Sequence, residues 1–552
     1  MPASKIKSRD YETLASRPAD KTGSSSGDRA ALKPLDTIKN EKTGAYEVYH
    51  EQSLKNPYRA KSPETGTAEF SSLEAIEAES LIADTESVAP AAAPEIPATY
   101  AEQQKIRKKE KLAEKDSRLI GSDRWIGRNG HVLTYAGLYV FSILVLFRPY
   151  ELVPGLGFLA STAFYVAAAT LLIFIPTQLS TEGSMTAFPT EVKCVLAMIL
   201  LAILTIPIGK DPGSSWLLFK DTFIKSVLMF IVMVNVLRTR RRLMGMMWLS
   251  LAVGVVLSYM AIGMYMRGEL KAEGYRVAVT IGGMFGNPND MALHLVTMTP
   301  IAVGLALGAK KKLFRLLYFA MAGVFIAGNM VTFSRGGFLG LIVSGAVLAW
   351  KLGRKQRLNV VLASSVVGGL VILLAPGNYG LRILSILYPA LDPVGSSDQR
   401  RELLYRSIFV TFRNPWGIGV GNSPVMNDYN LQTHNAYTQV SSELGLLGFA
   451  AYVIFIVSPL RKLAAIERTL IAENRRDWFY YLAVGLQASI AGYMVSSFFV
   501  SVAYNWFIYY LIAYAVAFRR IYRLETEAET NQSAAESKKA SFGEGELQTA
   551  QI

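Results

Sequence analysis

The chain has 552 residues, 51% of them hydrophobic and only 18% charged, with a net charge of +14 and a mean hydropathy of +0.27. That balance excludes an ordinary soluble domain, whose surface needs more charge, and describes an all-α polytopic membrane protein. The excess Lys and Arg flank apolar segments, so they read as an orientation signal and not as a nucleic-acid surface. A lone cysteine, Cys194, sits inside an apolar run and cannot form an internal disulfide.

In chain order, residues 1–99 are rich in Ser, Thr, Ala, Pro, Glu and Lys without a sustained apolar period. Such a segment buries too little apolar surface to offset the cost of ordering its backbone, and a disordered cytoplasmic tail is expected. Residues 100–130 combine helix formers with mixed, mainly basic charge and Trp125, as in a juxtamembrane helix lying on an anionic leaflet. The first apolar segment begins only near Val132, too far in for a cleavable leader. The tail is therefore expected to be retained and the first span to act as its own insertion signal.

About twelve transmembrane helices are expected over 131–520, near 132–148, 156–176, 191–208, 216–237, 246–266, 290–308, 315–332, 337–351, 358–375, 440–459, 479–499 and 501–518. With this count the basic runs Arg238–Arg242, Lys310–Lys312, Lys351–Arg357, Arg461–Arg476 and Arg519–Arg520 share one side with the basic segment 100–130. Both termini are then cytoplasmic. The segment 376–439 becomes a long outward loop with short surface helices, one of them amphipathic from Arg401 to Phe412. Residues 521–552 are polar again, and a second disordered cytoplasmic tail is expected.

The residues able to do chemistry concentrate on the outward side. Of four histidines, His50 lies in the tail and His131 at the cytoplasmic edge of the first span, while His294 is a turn inside the sixth span. His434 closes the outward loop, where an imidazole can act as a general base at an aqueous membrane face. Arg335 interrupts two apolar spans in Val331-Thr-Phe-Ser-Arg-Gly-Gly-Phe338, and Arg276, Arg400, Arg401 and Arg413 add further outward cations. Guanidinium offers a planar fork suited to phosphate oxygens and stays charged at any relevant pH. The group suggests a phosphate or diphosphate ligand, the alternative being pairing with Asp392, Asp398, Glu402 or lipid headgroups.

The pattern His434-Asn435-Ala436-Tyr437 followed by Glu443-x-Gly445-x-x-Gly448 resembles the signature of the O-antigen ligase family of membrane glycosyltransferases. Asn414-Pro-Trp-Gly-Ile-Gly-Val-Gly-Asn422 is similar to the family's proline–glycine turn, Thr332-Phe-Ser-Arg-Gly-Gly337 to its Ser-Arg-Gly break, and Gly286-Asn-Pro-Asn289 to an earlier element. The likeness covers roughly 278–449. Tyr405 stands where the pattern has tryptophan, so either Arg400 or Arg401 can be the equivalent arginine. Arg401, with an aromatic one helical turn on, is favoured.

The resemblance implies an enzyme of the bacterial cytoplasmic membrane that takes a glycan from an undecaprenyl-diphosphate-linked donor at the outer face. The acceptor is a hydroxyl on another glycan, on lipid A-core or on a protein. His434, Arg401 and Arg335 are the implied catalytic groups. Arg400, Arg276, Arg413, Asn435, Tyr437 and Glu443 are the implied substrate-binding residues, with Glu443 orienting His434 or interacting with a helix N-terminus. No cofactor or metal is expected, since no Asp-x-Asp or ligand-spaced cluster lies on the outer face. A multi-pass transporter of a small anionic solute is the alternative, because broken helices near Gly282-Gly283 and Gly336-Gly337 would suit one.

Overall fold

The computed structural model describes residues 130–549, with breaks at 154, 271, 273–275, 280, 282–284 and 428–429 and within 355–378 and 386–395. The expected tail, the juxtamembrane segment up to 129 and the span 358–375 therefore fall mainly or wholly outside the described residues. What is described is all-helical, with no strand among the described residues.

Thirteen principal helices follow in order: α1 (Val132–Leu146), α2 (Thr162–Glu182), α3 (Thr190–Thr205), α4 (Ile224–Val236), α5 (Arg240–Met266), α6 (Pro288–Gly308) and α7 (Lys312–Val331). Then come α8 (Arg335–Leu352), α9 (Ser396–Arg413), α10 (Ala436–Glu443), α11 (Gly445–Ala472), α12 (Trp478–Ser496) and α13 (Trp506–Thr549). Eight helices among the described residues are long and apolar enough to cross a membrane: α1, α2, α5, α6, α7, α8, α11 and α12.

Of the four other expected spans, 358–375 falls mainly outside the described residues, and the remaining three differ in local ways. Helix α3 has only 16 residues, and the stretch from Pro212 to Val236 is broken by a π-turn at Phe219–Phe223. Helix α13 runs from its apolar half straight into charge at Arg519 and Arg520. It also continues as a helix to Thr549, into the stretch where the sequence leads to the expectation of a disordered tail. Ile521, Leu524 and Ala528 recur at helical spacing and are buried, and the residues beyond are rich in the helix formers Ala, Glu and Lys.

Helix α6 is the centre of the bundle, buried along almost its whole length, and it packs against α7, α8 and α12. The approach is close because small residues face each other. A Cβ on Gly304 would come within 2.7 Å of the Tyr481 carbonyl, and one on Gly485 within 2.7 Å of the Pro300 carbonyl. Without a hydrophobic driving force inside lipid, packing of this kind holds helices together. Gly485→Leu is expected to lose about 1–3 kcal/mol through overpacking, read as a lower melting temperature of the detergent-solubilised protein. A neutral result would mean that α6 and α12 separate easily.

One end of the bundle gathers the basic loops around three glutamates. Glu191, fully buried, takes Arg519 at 2.7 Å and Lys462 at 3.2 Å. Glu467 takes Lys351 at 2.5 Å and Arg354 at 2.8 Å, and Glu182 takes Arg238 and Arg520. Arg240 stacks over Trp478 at 4.0 Å, and Gly308, just before the lysine run, abuts the same Trp478. The basic runs expected to share a side do meet at one end. Helix α12 leads from that end, at Trp478, to the opposite one, at Ser496.

Candidate active site

The opposite end holds a cleft of about 270 Å³ assembled from five separate stretches of chain. Helix α8 contributes Arg335 and Leu339, and α9 contributes Arg400, Arg401 and Leu404. Thr433, His434 and Asn435 come from the turn before α10, and Phe498 and Phe499 from the turn after α12, with Ser385 completing the wall. Four arginine and histidine side chains picked out from sequence thus meet in one cavity with Asn435.

Arg335 is placed by the end of α7 and the start of α8. Thr332 Oγ1 closes α7 by donating to the Asn329 carbonyl at 2.6 Å. Phe333 then takes a left-handed φ of 52°, rare outside glycine, and reverses the chain. Ser334 Oγ accepts from Gly337 N at 3.2 Å and caps α8, making Arg335 its first residue. Here the helix dipole and the guanidinium together favour an anion in the cleft.

His434 is held in a comparable way. Thr433 Oγ1 donates to the Asn435 carbonyl at 2.9 Å, and Asn435 Oδ1 accepts from Tyr437 N and Thr438 N at 2.9 and 3.1 Å, capping α10. Between them His434 has a φ of 51°. Backbone strain of this kind persists only where its surroundings over-determine it, and it concentrates at functional sites. Burial, reinforced by the charge of Arg400, lowers the imidazole to about 4. At neutral pH the ring is therefore an unprotonated base beside a cation.

The two arginines of α9 differ. Arg400 is half-buried and its charge reaches His434, whereas Arg401 is exposed on the rim. The cation whose charge acts on the imidazole is thus Arg400, while the sequence pattern favoured Arg401. Because the positive neighbour disfavours the imidazolium, Arg400→Gln should move the acid limb of kcat/KM upward from about pH 4. The shift stops short of the free-histidine value, since burial is the larger cause. An unmoved limb would separate the two groups electrostatically.

Four expected site residues lie elsewhere. Arg276 is buried, its Nε donating to the Thr332 carbonyl at 2.9 Å and its Nη2 to Asn289 Oδ1 at 2.8 Å. Asn289 Oδ1 also accepts from Ser334 Oγ at 3.0 Å, so Arg276 braces the turn that presents Arg335. Arg413 is exposed at the far end of α9, about 20 Å along the helix from Arg400. Tyr437 donates to the Met494 carbonyl at 2.9 Å and packs on Phe498 with ring centroids 4.5 Å apart, which makes it a support for the cleft wall.

Glu443 is the fourth. It ends α10 fully buried, outside the cleft lining, with Oε1 accepting from Ser423 N at 3.3 Å. Its carbonyl accepts from Gly419 N at 3.0 Å, and the Ser442 carbonyl from Ile418 N at 2.9 Å. Gly417, Gly419 and Gly421 have φ of 94°, 92° and 79°, which only glycine adopts without strain. Glu443 therefore holds the glycine turn against α10, outside the cleft that His434 lines. Burial pushes its carboxyl up to about 7, hydrogen bonds from the turn working in the other direction.

Sequence reading also missed contributors. Phe498, Phe499 and Thr433 carry no charge, and their only signal was an aromatic pair at a span end and a hydroxyl beside His434. Asn422 is buried too, accepting from Asp211 N at 2.8 Å and donating to Ser215 Oγ at 2.6 Å. It ties the glycine turn to the connection before α4. His294, on α6, is buried with Nε2 3.2 Å from the Ser250 carbonyl, and it takes no part in the cleft.

The described residues thus form a helical bundle of membrane-crossing character, with guanidinium groups and one imidazole sharing a cleft at one end. Residues 316–453 match the family model described as O-antigen ligase, so this stretch of the chain is similar to that family. The match runs from α7 through α8, α9 and α10 into α11, and takes in Arg335, Arg400, Arg401 and His434. No curated protein matches the chain.

Proposed function

We propose that the protein transfers or polymerises an undecaprenyl-diphosphate-linked glycan at the outer face of the bacterial cytoplasmic membrane. The observation that carries this reading is the meeting of Arg335, Arg400, Arg401 and His434 in one cleft, opposite the end where the basic loops gather. The basic end and both termini face the cytoplasm, and the cleft faces outward.

In the reaction, the donor's diphosphate lies among the guanidinium groups and the start of α8. His434 takes the proton from the acceptor hydroxyl as its oxygen forms a bond to the anomeric carbon. The bond from that carbon to the diphosphate oxygen breaks, and the leaving undecaprenyl diphosphate carries the electron pair. The arginines stabilise its growing charge. Direct displacement inverts the anomeric centre. Arg276, Asn289 and Ser334 keep Arg335 at its station, and Tyr437 and Glu443 support the wall and the glycine turn. A cleft at one end of the bundle favours this reading over transport, which needs a site near mid-depth.

The test is extraction of the lipid-linked material from cells that lack the protein. Accumulated donor carrying single repeats identifies a polymerase, and donor carrying long chains a ligase. Absence of any stalled lipid-linked glycan refutes transfer. Labelling residue 434 from the cytoplasmic side of intact membranes would do the same.

A further inference from the structure

Helix α9 has two unlike flanks, since successive residues turn by about 100° around its axis. Leu403, Ser407, Val410 and Thr411 are buried, with Thr411 Oγ1 2.9 Å from Ser441 Oγ of α10. On the other flank Tyr405, Phe409 and Phe412 are 63%, 63% and 74% exposed, and Ile408 lies between them at 39%. Their spacing of i, i+3, i+4 and i+7 makes one continuous strip, which Trp416, also exposed, extends past the end of the helix. A strip of that size is unfavourable in water and marks an interaction surface.

Three observations identify its occupant. Tyr, Phe and Trp are the side chains that settle at the boundary between headgroups and acyl chains. The strip adjoins the surface of a membrane span, because Leu446 N donates to the Pro415 carbonyl at 2.9 Å and brings Trp416 beside the first turn of α11. In that turn Leu446 and Leu447 are themselves exposed, as lipid-facing residues are. Finally Arg401 and Arg413, both exposed, stand toward the two ends of the strip and suit anionic headgroups.

We propose that α9 lies in the plane of the bilayer at the cleft end, with Tyr405, Ile408, Phe409 and Phe412 seated at the headgroup–acyl boundary. The helix is then an in-plane anchor that fixes the depth of the cleft. Arg400 lies on its cleft flank and Arg401 on the rim where the cleft meets the strip, so one helix spans the distance from lipid surface to imidazole. The inference rests on the membrane placement of the bundle and not on the transfer chemistry, and its test measures depth alone.

The full-length protein with Cys194→Ala is reconstituted in phosphatidylethanolamine–phosphatidylglycerol nanodiscs. Spin labels are attached through Tyr405→Cys, Phe409→Cys or Phe412→Cys, with Asn430→Cys as the loop comparison. The three helix labels are expected to relax more with oxygen than with a water-soluble nickel chelate, and the loop label to do the reverse. Helix labels that respond mainly to the chelate place α9 in water and overturn the proposal. Labels shielded from both agents place protein over the strip and overturn it equally. The unsubstituted protein gives a second reading, since a photoactivated carbene on the acyl chains should mark the segment from Tyr405 to Trp416. Its absence from the adducts also refutes the anchor.

Discussion

His434→Ala is expected to abolish product formation while leaving the protein folded, with lipid-linked donor accumulating in its place. The loss should reach about 10²–10⁴-fold, the range for removal of a positioned general base, or roughly 3–5 kcal/mol of transition-state stabilisation. Folding should survive because the neighbours do the structural work. Thr433 and Asn435 cap α10 through their own side chain and backbone atoms, and the imidazole has no part in that cap. Asn, which tolerates a left-handed φ, is the best control at this position, where His434 has a φ of 51°. His434→Asn should therefore match the native protein in melting temperature and the alanine variant in activity. A variant that keeps its rate would end the role of His434 as base.

Arg335 should give the second large effect. Arg335→Ala removes a guanidinium at the first position of α8, where the helix end adds its own positive potential. A loss of about 10²–10³-fold in kcat is expected, as for other preorganised groups that meet developing charge. Arg335→Lys should recover only part of it, because a point charge lacks the planar fork for two phosphate oxygens. Inhibition by inorganic pyrophosphate offers a readout independent of turnover, and it should weaken in both variants, more in alanine. Unchanged inhibition with lost activity would move Arg335 from the anion to the support of the turn. Arg276→Ala makes the contrast, since Arg276 reaches Thr332 and Asn289 and does not line the cleft. Its effect should be smaller and accompanied by a lower melting temperature.

How far the sequence was legible follows from what each residue's environment costs. Arg335 and His434 stood out because a polar group between apolar runs demands a reason, and the reason lay in the residues beside it. Asn435 was readable as part of the same motif, and it proves to be the cap that fixes its neighbour. Arg276 and Glu443 looked the same in sequence but found their reasons in the scaffold, one in the Thr332 carbonyl and the other in the Ser423 backbone. Charge and side are visible in a string of letters, whereas the partner that satisfies a charge is a matter of packing.

The span count shows the same boundary. Apolar length marked the eight long helices clearly, but composition cannot foresee the π-turn at Phe219–Phe223 or the brevity of α3. Past Arg523 the composition is polar, yet Leu524 and Ala528 are buried, a packing that composition alone does not reveal. Helix α9 was legible as an amphipathic segment, and the structure adds which flank is covered.

The five stretches of sequence that make the cleft reach from Arg335 to Phe499. Chains emerge from the ribosome beginning at the N-terminus, so most of the bundle is threaded into the membrane before the aromatic pair that closes the cavity has been translated. A nascent or prematurely terminated chain would carry Arg335, Arg400 and His434 without the wall that encloses them. Competence would thus arrive late in biogenesis, once the last spans are seated, and unfinished copies would leave the pool of lipid-borne sugar untouched.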